Sequence, residues 1–153
     1  MSKTFLDKGF TLIEILVVIG LIAILATVVI VAINPVRQFK QGRDSQRISN
    51  INSILNAVGQ RIADNKGKFD GTLSGVTCPT LPTSTTTIKS SGGIDLFSNC
   101  LVPTYIAQQL IDPSTGTSGS SYNSDYSIVQ DSTSGRITVS ANGEITQNLS
   151  VTR

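Results

Sequence analysis

Residues 10–33 read FTLIEILVVIGLIAILATVVIVAI, and from Ile15 to Ile33 no side chain is charged. Only Gly20 and Thr27 interrupt the aliphatic run. An uncharged apolar stretch beyond about 18 residues predicts a membrane-crossing helix. A secretory signal has a shorter apolar region, about 7–15 residues, and a small-residue cleavage site behind it. No such site follows here. Roughly 100 residues remain for a globular part, enough for one small core.

Asn34-Pro35 follows the run directly. Proline removes a backbone donor and restricts the residue before it, so a kink or a break is expected there. Beyond it Phe39, Ile48, Ile51, Leu55, Val58 and Ile62 recur at helical spacing, while Gln38, Gln41, Asp44, Ser45, Asn52 and Asn56 take the other sides. This predicts an amphipathic helix over 35–63 with one face on a packed partner. If Pro35 only kinks the chain, residues 11–63 form one rod of roughly 80 Å. Residues 64–102 read as loop, with two prolines and many hydroxyls in CPTLPTSTTTIKSSGG. Residues 103–111 suit a short helix opened by Pro103 and stopped by Asp112-Pro113. Alternating apolar positions and the turns Ser134-Gly135 and Asn142-Gly143 predict an antiparallel three-stranded sheet over 126–152, with Ile145, Gln147, Leu149 and Val151 on one side of its last strand. The expected fold is α+β: a long N-terminal helix, half for membrane and half amphipathic, packed on a small C-terminal sheet. The domains are then residues 1–9, 10–34 and 35–153.

Composition argues against catalysis. The chain has no His, so the commonest general base and metal ligand is missing. No Ser or Cys stands beside a plausible base, and the acids do not cluster. A net charge of +2 points to no strong nucleic-acid partner. Cys78 and Cys100 form an even pair beyond the apolar run. They read either as a disulfide stapling a loop with little core of its own or as two separate buried thiols.

The motif with chemical meaning is Gly9-Phe10-Thr11-Leu12-Ile13-Glu14, preceded by Lys3 and Lys8 and followed by the aliphatic run. It resembles the class III signal of type IV pilins and type II secretion pseudopilins. The likeness is close over residues 3–34 and continues through PVRQFKQGRDSQRISNINSILNAV. It is weaker at LVPTYIAQQLIDP. The resemblance implies that a prepilin peptidase cuts after Gly9 and that the new amine of Phe10 is methylated. Glu14 is the informative residue, because a carboxylate in an apolar helix costs several kcal/mol unless paired or protonated. No cation is near it in its own helix, and Lys8 would leave with the leader. The Phe10 amine of a neighbouring copy is a suitable partner; the alternative is snorkelling to the headgroups.

The implied protein is a structural, non-enzymatic filament subunit with no cofactor and no metal. It would be single-pass in the inner membrane before assembly, and periplasmic or extracellular afterwards. Its partners would be copies of itself and other pilins, the prepilin peptidase, an inner-membrane assembly platform and lipid. A minor or DNA-uptake subunit and a membrane-anchored envelope enzyme are the alternatives. Arg37, Lys40, Arg43 and Arg47 recur every three or four residues and read as a solvated or headgroup-facing row. The positive-inside rule would place this row in the cytoplasm, opposite to the orientation that the resemblance implies. Asp112, Asp125 and Asp131 fall in or near loops where pseudopilins carry calcium. Their spacing does not match such a site, and they read as solvated carboxylates.

Overall fold

A computed structural model describes residues 9–153, so most of the expected leader 1–9, with Lys3 and Lys8, lies outside the described residues. The chain is α+β and divides into two compact units, one ending at Gln38 and the other Phe39–Arg153.

Helix α1 spans Leu12–Ile33. Its 22 residues extend about 33 Å, close to the thickness of a bilayer's hydrocarbon core. Thr11 caps it, with extended backbone and a side chain that accepts from the Glu14 N–H. It stops at Asn34, whose φ of 47° is left-handed, and α2 begins at Pro35. The Asn34-Pro35 step is therefore a break, and proline takes the first helical position, where its missing N–H costs nothing. No residue of α1 is buried.

Helix α2 spans Pro35–Asp64. Its buried side runs through Asp44, Arg47, Asn50, Ile51, Ile54, Leu55, Ala57, Val58 and Arg61. This corrects the expected apolar stripe at both ends. Phe39 is 68% exposed, Ile48 and Ile62 are only half-buried, and the fully buried Ile54 belongs to the stripe. Polar residues can join it because each finds a partner. Arg61 donates to the carbonyls of Phe69 (2.9 Å) and Gly71 (3.0 Å), and Asn50 donates to the Tyr126 hydroxyl (3.0 Å).

The segment 64–102, expected to be loop, contains three strands. Gly71–Leu73 (β1) and Val76–Cys78 (β2) form a hairpin. Ser74 and Gly75 both have positive φ (50° and 83°), as a two-residue type I′ turn requires. Thr86–Lys89 (β3) joins Asn123–Gln130 (β4), Ile137–Ala141 (β5) and Leu149–Thr152 (β6) in a four-stranded antiparallel sheet of order β3-β4-β5-β6. The expected last strand starts late: Ile145 is exposed, because the chain before β6 turns its N–H groups to Asp44. The short helix expected over 103–111 is a run of turns. The N–H groups of Tyr105 and Ile106 both turn back to the Leu101 carbonyl, and two side chains reach distant partners. The Tyr105 hydroxyl donates to Asp64, and the Gln109 amide exchanges two hydrogen bonds with the Gly119 backbone. These contacts outweigh local helix propensity.

Ile51, Ile54, Leu55 and Val58 of α2 meet Tyr126, Ile128 and Val139 of the sheet in one core, joined by Ile88, Leu96, Phe97, Leu101 and Tyr122. Ile54 has no exposed surface. Ile54→Ala should lower stability by about 2–5 kcal/mol, while Phe39→Ala should change it by no more than about 0.5 kcal/mol. Thermal melts of the detergent-solubilised chain check both.

Candidate functional site: the head of helix α1 and a buried arginine clamp

At the head of α1, Gly9 and Phe10 stand exposed outside the helix. A capping box closes the first turn. The Glu14 N–H donates to the Thr11 hydroxyl oxygen at 3.3 Å, and the Thr11 N–H and hydroxyl each reach Glu14 Oε2 at 3.5 Å. These contacts are long, and their donors are neutral. Among the described residues no cation pairs with Glu14. The carboxylate lies in the first turn, where the positive end of the helix dipole favours it. Its charge is otherwise unmatched among the described residues. Gly9, Phe10 and Glu14 thus fall together at one helix end.

The second cluster was not expected as such. Arg47, only 2% exposed, holds carboxylates from three parts of the chain. Its Nε donates to Asp112 Oδ2 (2.6 Å), its Nη1 to Asp44 Oδ1 (2.7 Å) and to Glu144 Oε1 (3.2 Å), and its Nη2 to the Ser114 hydroxyl (2.7 Å). Arg43 grips Glu144 with two donors, at 2.5 and 2.6 Å. Asp44 also accepts from the backbone N–H groups of Glu144 (2.8 Å) and Ile145 (2.9 Å). The clamp therefore fastens the loop after β5 and the 112–115 turn to α2. Arg43 and Arg47 do not belong to a solvated row. The expectation of a solvated Asp112 is corrected too: it is 4% exposed, and a guanidinium occupies its oxygens. Asp131 is exposed and caps the β4–β5 turn through the N–H groups of Thr133 and Ser134. Asp125 accepts from Asn123. Among the described residues no group of three or more acidic or thiol side chains is placed to hold a metal ion.

One signal for the clamp was present in the sequence. Arg47 and Asp44 lie on the same helical stripe as Ile51, Ile54 and Val58, so an apolar face extended toward the N-terminus runs through them.

The clamp's carboxylates ionise readily. Burial opposes the charge of Asp44, but the N–H groups of Glu144 and Ile145 and the Arg47 guanidinium overcome it and bring its pKa down to about 2. Glu144 is lowered to about 2, chiefly by the hydrogen bonds from Arg43. Asp112 is desolvated, yet Arg47 and the Ser114 backbone hold it well below the ordinary range.

Cys78 at the end of β2 and Cys100 in the segment after β3 are bonded to each other, with Cα atoms 5.7 Å apart. The bridge closes a loop of 22 residues.

Residues 6–30 match the prokaryotic N-terminal methylation motif. That motif is the prepilin-type cleavage and methylation signal of type IV pilin-like proteins. No curated protein and no solved structure matches the chain. The motif supports a pilin-like substrate of prepilin peptidase, and it points to a structural rather than an enzymatic role.

The clamp carries a pH signature. Its three acids bind protons less readily folded than unfolded, so the stability they contribute is complete above the ordinary carboxylate values of 3.8 and 4.5. It should drain away as the pH falls through about 2. Arg47→Ala strands two buried acids and should cost about 3–5 kcal/mol at neutral pH. Melting temperature measured against pH should then fall much less steeply in the variant below pH 4 than in the wild type.

Proposed function

We propose that this chain is a structural subunit of a type IV pilus or a type II secretion pseudopilus. It is cut after Gly9, methylated on the Phe10 amine, held in the inner membrane by α1 and then polymerised through that helix. One observation supports the reading above the others: the prepilin-type signal runs without a gap into a 22-residue helix of which nothing is buried. Apolar side chains at this density must be covered by lipid or by other copies of the chain. A filament subunit needs both coverings in turn, lipid before assembly and neighbouring helices after it.

In this mechanism Glu14 supplies specificity. The long contacts with Thr11 leave its charge unbalanced. The ammonium of Phe10 on a neighbour offers a charge-assisted bond, roughly twice as strong as a neutral one. Pairing would place each copy one step along from the last.

Intact mass of membrane-extracted protein should correspond to a chain starting at Phe10 with a methylated amine. A chain retaining Gly9 and the residues before it, in cells with active prepilin peptidase, sinks the reading. Glu14→Ala should leave insertion and cleavage intact, because it removes a charge that lipid disfavours. Filament yield should nevertheless collapse, since a stranded partner of a buried pair costs about 3–5 kcal/mol. Glu14→Gln should restore it only in part. Sheared filaments quantified beside membrane-bound subunit measure this. Normal filaments from Glu14→Ala would remove the pairing from the mechanism.

We also infer that Cys78 and Cys100 are oxidised in the assembled filament. Unreduced, unfolded protein should take up no thiol label, and reduction should lower stability by about 3 kcal/mol.

A further inference from the structure

Phe39 has no role inside its own unit. It is 68% exposed, whereas Phe69 and Phe97 of the same unit are 5% and 1% exposed. Farther along α2, a groove of about 530 Å³ lies open beside β5, lined by Leu55, Gly59, Ile62, Ala63 and Ile137, with Asn56, Gln60 and Arg153 on its polar side. A side chain at Gly59 would meet nothing within 4 Å, so the groove has free width at this point.

The two features are on one helix, twenty residues apart, or about 30 Å. Phe39 therefore cannot fill the groove of its own chain, but a second copy's Phe39 can. Such a contact joins two different surfaces, so each copy offers both halves and the pairing repeats as an open array. The groove's own cation, Arg153, is turned to Asn52 and Asn56, and the charges flanking the two features, Lys40 and Asp64, are opposite in sign. Lys40, beside Phe39, makes no salt bridge among the described residues. Asp64, one residue past Ala63, takes only the Tyr105 hydroxyl among the described residues.

We propose that Phe39 of one copy seats in the 55–63 groove of another, with its Lys40 facing that copy's Asp64. This rests on the reading that the chain polymerises, and it names a contact between globular units in addition to that of the apolar helices. One aromatic side chain covers far less area than the roughly 1,200 Å² a stable pair needs alone. The contact thus guides copies already brought together by α1, and does not form dimers of free domains.

The test uses the full chain in cells that assemble it. A photoreactive benzoylphenylalanine at position 39 should cross-link, in sheared filaments, to residues 55–63 or Ile137 of another copy. Adducts confined to lipid, or to a different protein surface, overturn the proposal. Gly59→Leu provides a second arm, because leucine suits a helix better than glycine and does not threaten the fold. It should lower filament yield about tenfold, with processed, membrane-bound subunit unchanged. Phe39→Ala should do the same, and Phe39→Leu should retain most of the yield. Full yield from Gly59→Leu also overturns the proposal. If the unmodified chain is not processed or forms no filament, the assembly reading itself fails. If it forms filaments and position 39 cross-links elsewhere, only the Phe39 contact fails.

Discussion

Water cannot cover α1 without penalty. Each fully exposed Val, Leu or Ile forgoes about 1.5–3 kcal/mol of burial, and α1 is built almost entirely of such residues with none buried. The core of Phe39–Arg153 closes without it, through α2 and the four-stranded sheet. The apolar helix is thus surplus to folding and committed to something outside the chain. A lipid bilayer accepts it for its length. Other copies of the same helix can accept it by close packing, where lipid tails give no hydrophobic advantage and shape and polar pairing decide. The prepilin-type signal at residues 6–30 is read in this context.

The chain handles two awkward charges in opposite ways. Arg47 is taken out of water and fully served: three carboxylates and a hydroxyl meet its guanidinium, and no buried side-chain polar atom among the described residues lacks a partner. Such a group contributes to order within the fold and is finished with. Glu14 is given only a capping threonine at 3.5 Å. A neutral donor at that distance holds a rotamer but does not balance a charge. A self-contained anchor would do better with glutamine or leucine at this position. Retaining such a carboxylate in an apolar helix makes sense where a cation arrives later, as the proposed pairing between copies would supply.

The parts of this structure that were legible in the sequence are those whose cause is local. Helix α1 needs no tertiary context, since length and apolarity suffice. Strands β4 and β5 alternate cleanly between buried and half-buried positions, and turns mark their ends. The misread parts have distant causes. β3 offers one fully buried residue, Ile88, among threonines and a lysine, and only its pairing with β4 makes it a strand. Arg47 stands in a row of basic residues that reads as a solvated face unless the apolar stripe of Ile51, Ile54 and Val58 is extended through it. Its partners lie 65 and 97 residues away, at Asp112 and Glu144, and no spacing rule reaches so far. Asp44 then delays β6, by drawing the N–H groups of Glu144 and Ile145 out of the sheet.

Phe39 is a different kind of failure. Its spacing fits the apolar stripe, and the periodicity argument places it inside, yet the core begins several residues later and leaves it in solvent. A large apolar residue left outside, in a helix whose later large apolar residues pack inward, marks a position shaped by something other than folding stability. The same holds for Gly59, which sits in the interior of a helix that any other ordinary residue would favour, with open space where a side chain would go. One position projects where the fold gains nothing, and the other stays bare where the fold would gain. Folding energy alone explains neither, and both are what the proposed contact between copies would require.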